Sequence, residues 1–261
     1  MQTQLAPRSL WPAHLALLAA LFGTWWVLTQ TQVLSPFFFG EPVVVVKRAV
    51  YWFVSGKIYP HLAITLLETL LAFSIGTAAG LAMGLWLALS PMASRLLDPY
   101  LIAVNSMPRV ILAPIFAVWF GLGIWSKVLL GVTLVFFIVF FSVYHGVRDV
   151  SPVVLANARM LGAGRRELLR HVYLPSATAW VFSSLHASVG MAFVGAVVGE
   201  YLGSSRGVGY LILQAEGVFD INTVLAGVLV LTGCAVLLDR AVGLLERRLL
   251  RWRPGATAQD H

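Results

Sequence analysis

Charge is what this chain has least of. Only 11% of its 261 residues are Asp, Glu, Lys or Arg, against about 25% in an ordinary soluble domain. Acidic residues are the scarcer sign, 11 against 18 Lys and Arg. The single cysteine, Cys234, excludes an intrachain disulfide and a Cys-based metal site. No Gly-x-x-x-x-Gly-Lys-Ser/Thr run occurs, so the chain has no phosphate-cradling loop of its own, and no His-Glu-x-x-His is present. The six histidines are scattered, and the serines fall into no Ser/His/Asp arrangement. These absences speak against an enzyme. No catalytic residue, no metal and no cofactor are expected on this chain, and energy for its work must come from a partner.

Apolar residues take the place of charge. They make up 59% of the chain, with a mean hydropathy of +0.85. One water-soluble core cannot absorb that much apolar side chain, so lipid must be the solvent for much of the surface. The expected class is an all-α integral membrane protein. A helical span needs about 20 mostly apolar residues, and six stretches qualify: 13–30, 62–89, 101–121, 127–147, 177–199 and 222–243. No small-residue cleavage site clearly follows the first, which reads as an uncleaved span. The third and fifth are interrupted by Pro or small residues, which membrane helices tolerate when neighbours re-satisfy the freed backbone groups.

Basic residues set the orientation. With both ends inside, the inner segments hold Arg8, Arg95, Arg148, Arg159, Arg165, Arg166, Arg170, Arg240, Arg247, Arg248, Arg251 and Arg253. The outer ones hold only Lys47, Arg48, Lys57, Lys127 and Arg206. That excess predicts an N-in, C-in topology. It also accounts for the net charge of +7 without nucleic acid, because the basic residues sit in short runs between apolar spans. The expected organisation is an N-terminal span with an outer amphipathic helix (1–61), a transmembrane core (62–253) and a cytoplasmic tail (254–261). Within the first part, Pro42 to Tyr59 mixes Val43, Val44, Val46, Val50, Trp52 and Phe53 with Lys47, Arg48 and Lys57, the pattern of a helix lying at the interface.

Three further features stand out. Gly76, Gly80 and Gly84 recur every four residues and share one helix face, where another backbone can approach closely. Packing within the subunit and a pore-lining or subunit contact are both compatible with them. Ionisable residues inside spans are functional candidates because lipid makes them costly. Glu68 and Arg109 are such residues, with Asn105, Ser106 and Met107 beside Arg109 and Glu200 near the end of the fifth span. Arg109 fits either snorkelling to the inner surface or a cationic contact along an anion's path. Glu68, Asn105, Met107, Arg109 and Glu200 form the candidate translocation pathway.

The third feature is the polar stretch 148–175 between the fourth and fifth spans. Ser151-Pro152 is a helix start, Val154, Leu155, Ala158 and Leu161 repeat at helical spacing, and Gly162 is a stop. A second short helix follows through Arg165 and Arg170 to Leu174-Pro175. A short helix with an apolar ridge and basic flanks is a docking element for a partner protein or an anionic membrane surface.

The stretch resembles the cytoplasmic loop signature of bacterial ABC importer permeases: Glu-Ala-Ala, three residues, Gly, nine residues, Ile, any residue, Leu-Pro. Ala158, Gly162, Leu174 and Pro175 match in register and Val172 stands for Ile, whereas Ala156 and Asn157 replace the first Glu and Ala. Asp98-Pro99, Pro108, Pro114 and Trp119-Phe120-Gly121-Leu122-Gly123 are similar to the third-span region of the nitrate/taurine/sulfonate branch. Phe140-Phe141 with Gly146-Val147-Arg148, then Gly199-Glu200, Gly203, Gly207-Val208-Gly209-Tyr210-Leu211-Ile212 and Phe219-Asp220, continue the likeness. Leu245-Glu246-Arg247-Arg248 and Trp252 end it. The resemblance implies a homodimeric permease of the bacterial inner membrane, working with a cytoplasmic ABC ATPase subunit and a solute-binding protein. It implies that 148–175 is the coupling loop, with Val154, Leu155, Ala158, Arg159, Leu161, Gly162, Arg165 and Pro175 at the ATPase. It also implies a small solute: nitrate, taurine, an alkanesulfonate or a pyrimidine vitamin precursor. A self-sufficient channel or secondary carrier would need internal repeats, and none is visible.

Overall fold

A computed structural model describes residues 11–249. Arg8, Arg251, Trp252, Arg253 and the expected tail 254–261 lie outside the described residues. The described chain is helical, with no strand among those residues. In chain order the helices are α1 (Trp11–Gln30), α2 (Pro36–Phe39), α3 (Pro42–Val54), α4 (Tyr59–Ala88), α5 (Pro91–Asn105), α6 (Leu112–Phe120), α7 (Ile124–Arg148), α8 (Pro152–Met160), α9 (Arg165–Leu168), α10 (Leu174–Leu202), α11 (Val208–Gly217) and α12 (Ile221–Leu249). Five of them, α1, α4, α7, α10 and α12, are long and apolar enough to cross a membrane.

The expected third span is not one helix. α5 and α6 pass the length and composition test only together, and they meet at a bend of 75°. Pro108 has no amide to continue the ladder and disfavours helical geometry at Met107. The chain resumes as a 3-10 turn over Arg109–Ile111 before α6 begins.

The chain divides into two compact units. One comprises 11–58 with 211–230, the other 59–210 with 231–249. In the first, α3 starts at Pro42 and buries Pro42, Val45, Ala49 and Trp52 along one stripe, leaving Val43, Val46, Val50 and Val54 exposed. Gly40, at φ +64°, lets the chain turn against Ile221, Asn222 and Leu225, and Asn222 Oδ1 accepts the Glu41 amide at 2.7 Å. Asp220 caps α12 by accepting from the amide and hydroxyl of Thr223, and Arg48 stands 3.4 Å from the same carboxylate.

The second unit is organised around α7, half of whose membrane-length window is buried. α4 and α10 pack on it through Ala72, Val128, Val135, Val139, Val143, Val147, Ala177 and Ala192. The inward stripe of α4 is Thr65, Glu68, Thr69, Ala72, Gly76, Gly80, Gly84 and Leu87, whereas Leu67, Leu70, Ile75, Met83 and Trp86 point outward. Small and polar residues inside with bulky apolar ones outside is the arrangement expected when lipid replaces water and packing replaces the hydrophobic effect. All three glycines of α4 face α7 within the chain. A Cβ on Gly80 would stand 2.9 Å from the Phe136 carbonyl oxygen, and one on Gly84 2.8 Å from that of Phe140.

Candidate functional site

One end of the second unit carries the 148–175 loop. Proline at the first position of α8 starts that helix, and its far end closes in a Schellman arrangement: the Gly162 amide donates to Arg159 O and the Ala163 amide to Ala158 O, both at 3.0 Å. That ending needs a left-handed residue, and Gly162 supplies it at φ +86°. α8 buries none of its residues. Leu155 and Ala158 are half-buried, while Val153, Val154, Arg159 and Arg165 are exposed. Met160 and Leu161 are the extremes, at 79% and 89% exposure. Val153 and Met160 thus extend the apolar ridge beyond the residues singled out by periodicity.

The return path is stiffened twice. Glu167 Oε2 reaches back to accept the Gly164 amide at 2.6 Å, and Leu168 is buried. A π-helical turn over Leu169–Tyr173 then joins α9 to α10. Pro175 explains it: a proline ring collides with the carbonyl four residues earlier in a regular α-helix, and the wider turn makes room. The loop is therefore a helix closed by Gly162, followed by a short helix that runs through the π-turn directly into α10.

At the same end, Ser94 and Asp98 of α5 meet Tyr144 and Arg148 of α7. The Tyr144 hydroxyl donates to Asp98, 2.8 Å from Oδ1, and Arg148 donates to Ser94 Oγ at 3.1 Å and to the Tyr144 oxygen. Arg148 is also 3.8 Å from the Asp98 carboxylate. Elsewhere in the unit, His186 bridges α10 to α12, with Nδ1 at 2.7 Å from Asp239 and Nε2 at 3.0 Å from Glu246.

The opposite end holds Glu68 and Glu200. Thr65 Oγ1 donates to Glu200 Oε1 at 2.6 Å and the Gly209 amide to Oε2 at 2.7 Å. Gly207, at φ +116°, lies so close to the Glu200 carboxylate that no side chain fits there. Glu68 stands 4.0 Å from the Lys127 ammonium, with side-chain exposures of 1% and 3%. That ammonium donates to the carbonyls of Leu122 and Gly123 at 2.7 and 3.0 Å. Both glutamates are thus interior groups. Arg109 lies apart from them at the α5–α6 bend, donating to the carbonyl and side chain of Asn105 and lying 4.5 Å from the Phe137 ring. Asn105 and Met107 are exposed beside it. Sequence reasoning missed Lys127, Thr65 and the α5–α7 cluster. Lys127 had been placed in a loop by the charge tally, and the other contacts join positions far apart in the chain.

Apolar spans around a buried ionic cluster, with an exposed helical loop at one end, define a multi-span membrane protein. Residues 76–251 match the family described as binding-protein-dependent transport system inner membrane component, and the chain belongs to it. It is the permease subunit of an ABC importer, a multi-pass protein of the inner membrane. It is 33% identical over 93% of its length to SsuC of Bacillus subtilis (strain 168), named for aliphatic sulfonates transport, covering 88% of that protein. It is 31% identical over 90% of its length to the taurine transport system permease TauC of Escherichia coli (strain K12), covering 87%. The formylaminopyrimidine transport permease ThiX of Halalkalibacterium halodurans is also 31% identical, over 87% of this chain and 91% of that protein. Among solved structures, an inward-facing MetNI methionine ABC transporter shares the fold at a TM-score of 0.56 and 20% identity, over 77% of this chain and 95% of that one.

Proposed function

We propose that this permease couples to a separate ABC ATPase through the 148–175 loop and imports a small solute such as nitrate, taurine or an alkanesulfonate. The observation that carries the coupling reading is the exposed ridge of Val153, Val154, Met160 and Leu161, set on a helix started by Pro152 and closed by Gly162. Apolar side chains this exposed, beside Arg159 and Arg165, fit a protein cleft. In this reading the bent α5–α6 pair is the third of six spans and both termini are cytoplasmic, with 1–61 an N-terminal element, 62–253 the core and 254–261 a tail. Two copies enclose the pathway, a solute-binding protein delivers from the outer side, and the chain itself binds no cofactor and hydrolyses nothing.

The α5–α6 bend bears on the pathway. Asn105 is exposed and Arg109 half-buried there, whereas Glu200 is held by bonds from Thr65 and Gly209 and Glu68 is buried beside Lys127. Arg109 and Asn105 are therefore the groups for solute contact, and Glu200 holds the opposite end together. A second reading of the solute comes from the comparisons: ThiX, named for formylaminopyrimidine, is as similar as TauC. Such equality fits a system whose binding protein does the selecting. The test is ATP hydrolysis by the reconstituted permease, ATPase and binding protein, with nitrate, taurine, ethanesulfonate and an aminopyrimidine added singly. Stimulation by a sulfonate or nitrate supports the first reading, and stimulation by the pyrimidine alone replaces it with the second.

A further inference from the structure

Two segments that had no assigned role, Asp98-Pro99 and the run ending in Arg148, meet in space. Arg148 is both the last residue of α7 and the first of the 148–175 loop. Asp98 lies midway along α5, which leads to the 75° bend carrying Arg109. Ser94 is the one fully buried residue of α5, and it is buried within this cluster. Leu96, Tyr100 and Ile102 of the same helix are exposed. Apolar packing of α5 on α7 is confined to Ala93, Leu97 and Leu101, and directional polar bonds fix the register beside it.

Those bonds are themselves supported. Tyr144 stacks on the fully buried Phe140, with Leu97 and Leu101 of α5 packed against the pair. Its hydroxyl reaches both Asp98 oxygens, 2.8 and 3.0 Å away, while Ser94 Oγ donates to Oδ2 at 3.2 Å. Arg148 closes the cluster from the loop side.

We propose that Tyr144, Asp98 and Arg148 form the joint through which movement of the 148–175 loop reaches the bent α5–α6 pair. They are positioning residues, touching neither solute nor ATP. The inference rests on reading the loop as the ATPase lever. Given that lever, the joint is the polar connection between its root and the helix leading to Arg109. A network of charge-assisted bonds keeps its geometry under displacement better than apolar sliding contacts do. A broken span is an element with more than one arrangement for such a displacement to select.

The test uses the permease assembled with its ATPase in lipid, on a Cys234→Ala background. One spin label is placed at Arg170→Cys, exposed in the loop away from the docking ridge, and another, in a separate sample, at Val118→Cys on α6. Each is read without nucleotide and after trapping with ATP and vanadate. Both labels are expected to respond in the otherwise native complex. With Tyr144→Phe or Asp98→Asn, the Arg170 response persists while the Val118 response falls by about fivefold or more, an ordinary size for coupling between sites. An undiminished Val118 response in both variants overturns the joint, and so does a Val118 label that does not respond in the native complex while the Arg170 label does. An Arg170 label indifferent to ATP in the native complex overturns the lever reading instead.

Discussion

Thr65 and Glu200 lie 135 residues apart in the chain and meet through a 2.6 Å hydrogen bond inside the membrane unit. The second carboxylate oxygen accepts the Gly209 amide, so one side chain ties α4, α10 and the start of α11 together. Its length suits the gap that Gly207 leaves open. Glu200→Ala would strand the Gly209 amide, while the Thr65 hydroxyl keeps the His61 carbonyl as an acceptor at 3.2 Å. The expected loss is about 1–3 kcal/mol, from one buried group left unpaired. Thermal unfolding in detergent checks it, and Glu200→Gln, which keeps one acceptor oxygen, should lose less.

Lys127 is the charge that makes Glu68 tolerable. Removing one member of a buried pair costs about 3–5 kcal/mol, while replacing both is often neutral. Lys127→Met should therefore destabilise the permease strongly, and adding Glu68→Gln should recover part of the loss. Unfolding temperatures of the two single variants and the double variant measure the coupling. Additive losses would show that the two groups act independently.

The contact of α4 with α7 is steric. At Gly80 the obstacles are the Phe136 carbonyl and the Phe140 amide, which are backbone and cannot rotate away. Gly80→Val should cost about 1–3 kcal/mol through overpacking, read as a lower unfolding temperature and reduced yield. Gly23 has nothing within 4 Å of a Cβ, and Gly23→Ala should leave both unchanged.

Gly162 separates conformation from space. Its surroundings are open, yet φ is +86°. Left-handed geometry costs a β-branched residue about 1–2 kcal/mol, whereas asparagine visits it more readily. Gly162→Ile should unwind the end of α8 and abolish solute-stimulated ATP hydrolysis, with Gly162→Asn largely active. Equal activity in the two variants would mean that the loop's ending is irrelevant to coupling.

Much of this architecture is written in local pattern. Long apolar runs mark α1, α4, α7, α10 and α12 because each must face lipid along its length, and Ser151-Pro152 and Gly162 mark the loop helix because caps are local chemistry. The bend at Met107-Pro108 was half legible. The prolines mark the span over 101–121 as interrupted, but local pattern does not give the angle of the break. Lys127 was hidden because a charge tally assigns a lysine at the head of an apolar run to the adjoining loop. Its burial depends on Glu68, on another helix, and on the carbonyls of Leu122 and Gly123. The joint of Ser94, Asp98, Tyr144 and Arg148 has no periodicity to betray it, since its halves belong to different helices.

The most direct measurement is the affinity of the solubilised permease for its ATPase, with native loop and with Leu161→Asp. Leu161 is 89% exposed and touches no core, so the change leaves the fold intact. Burying a carboxylate in an apolar docking cleft is expected to weaken binding by about 30-fold or more, the scale of an interface hot spot. Unchanged affinity in a folded variant would contradict the assignment of this loop as the site where ATP hydrolysis is felt.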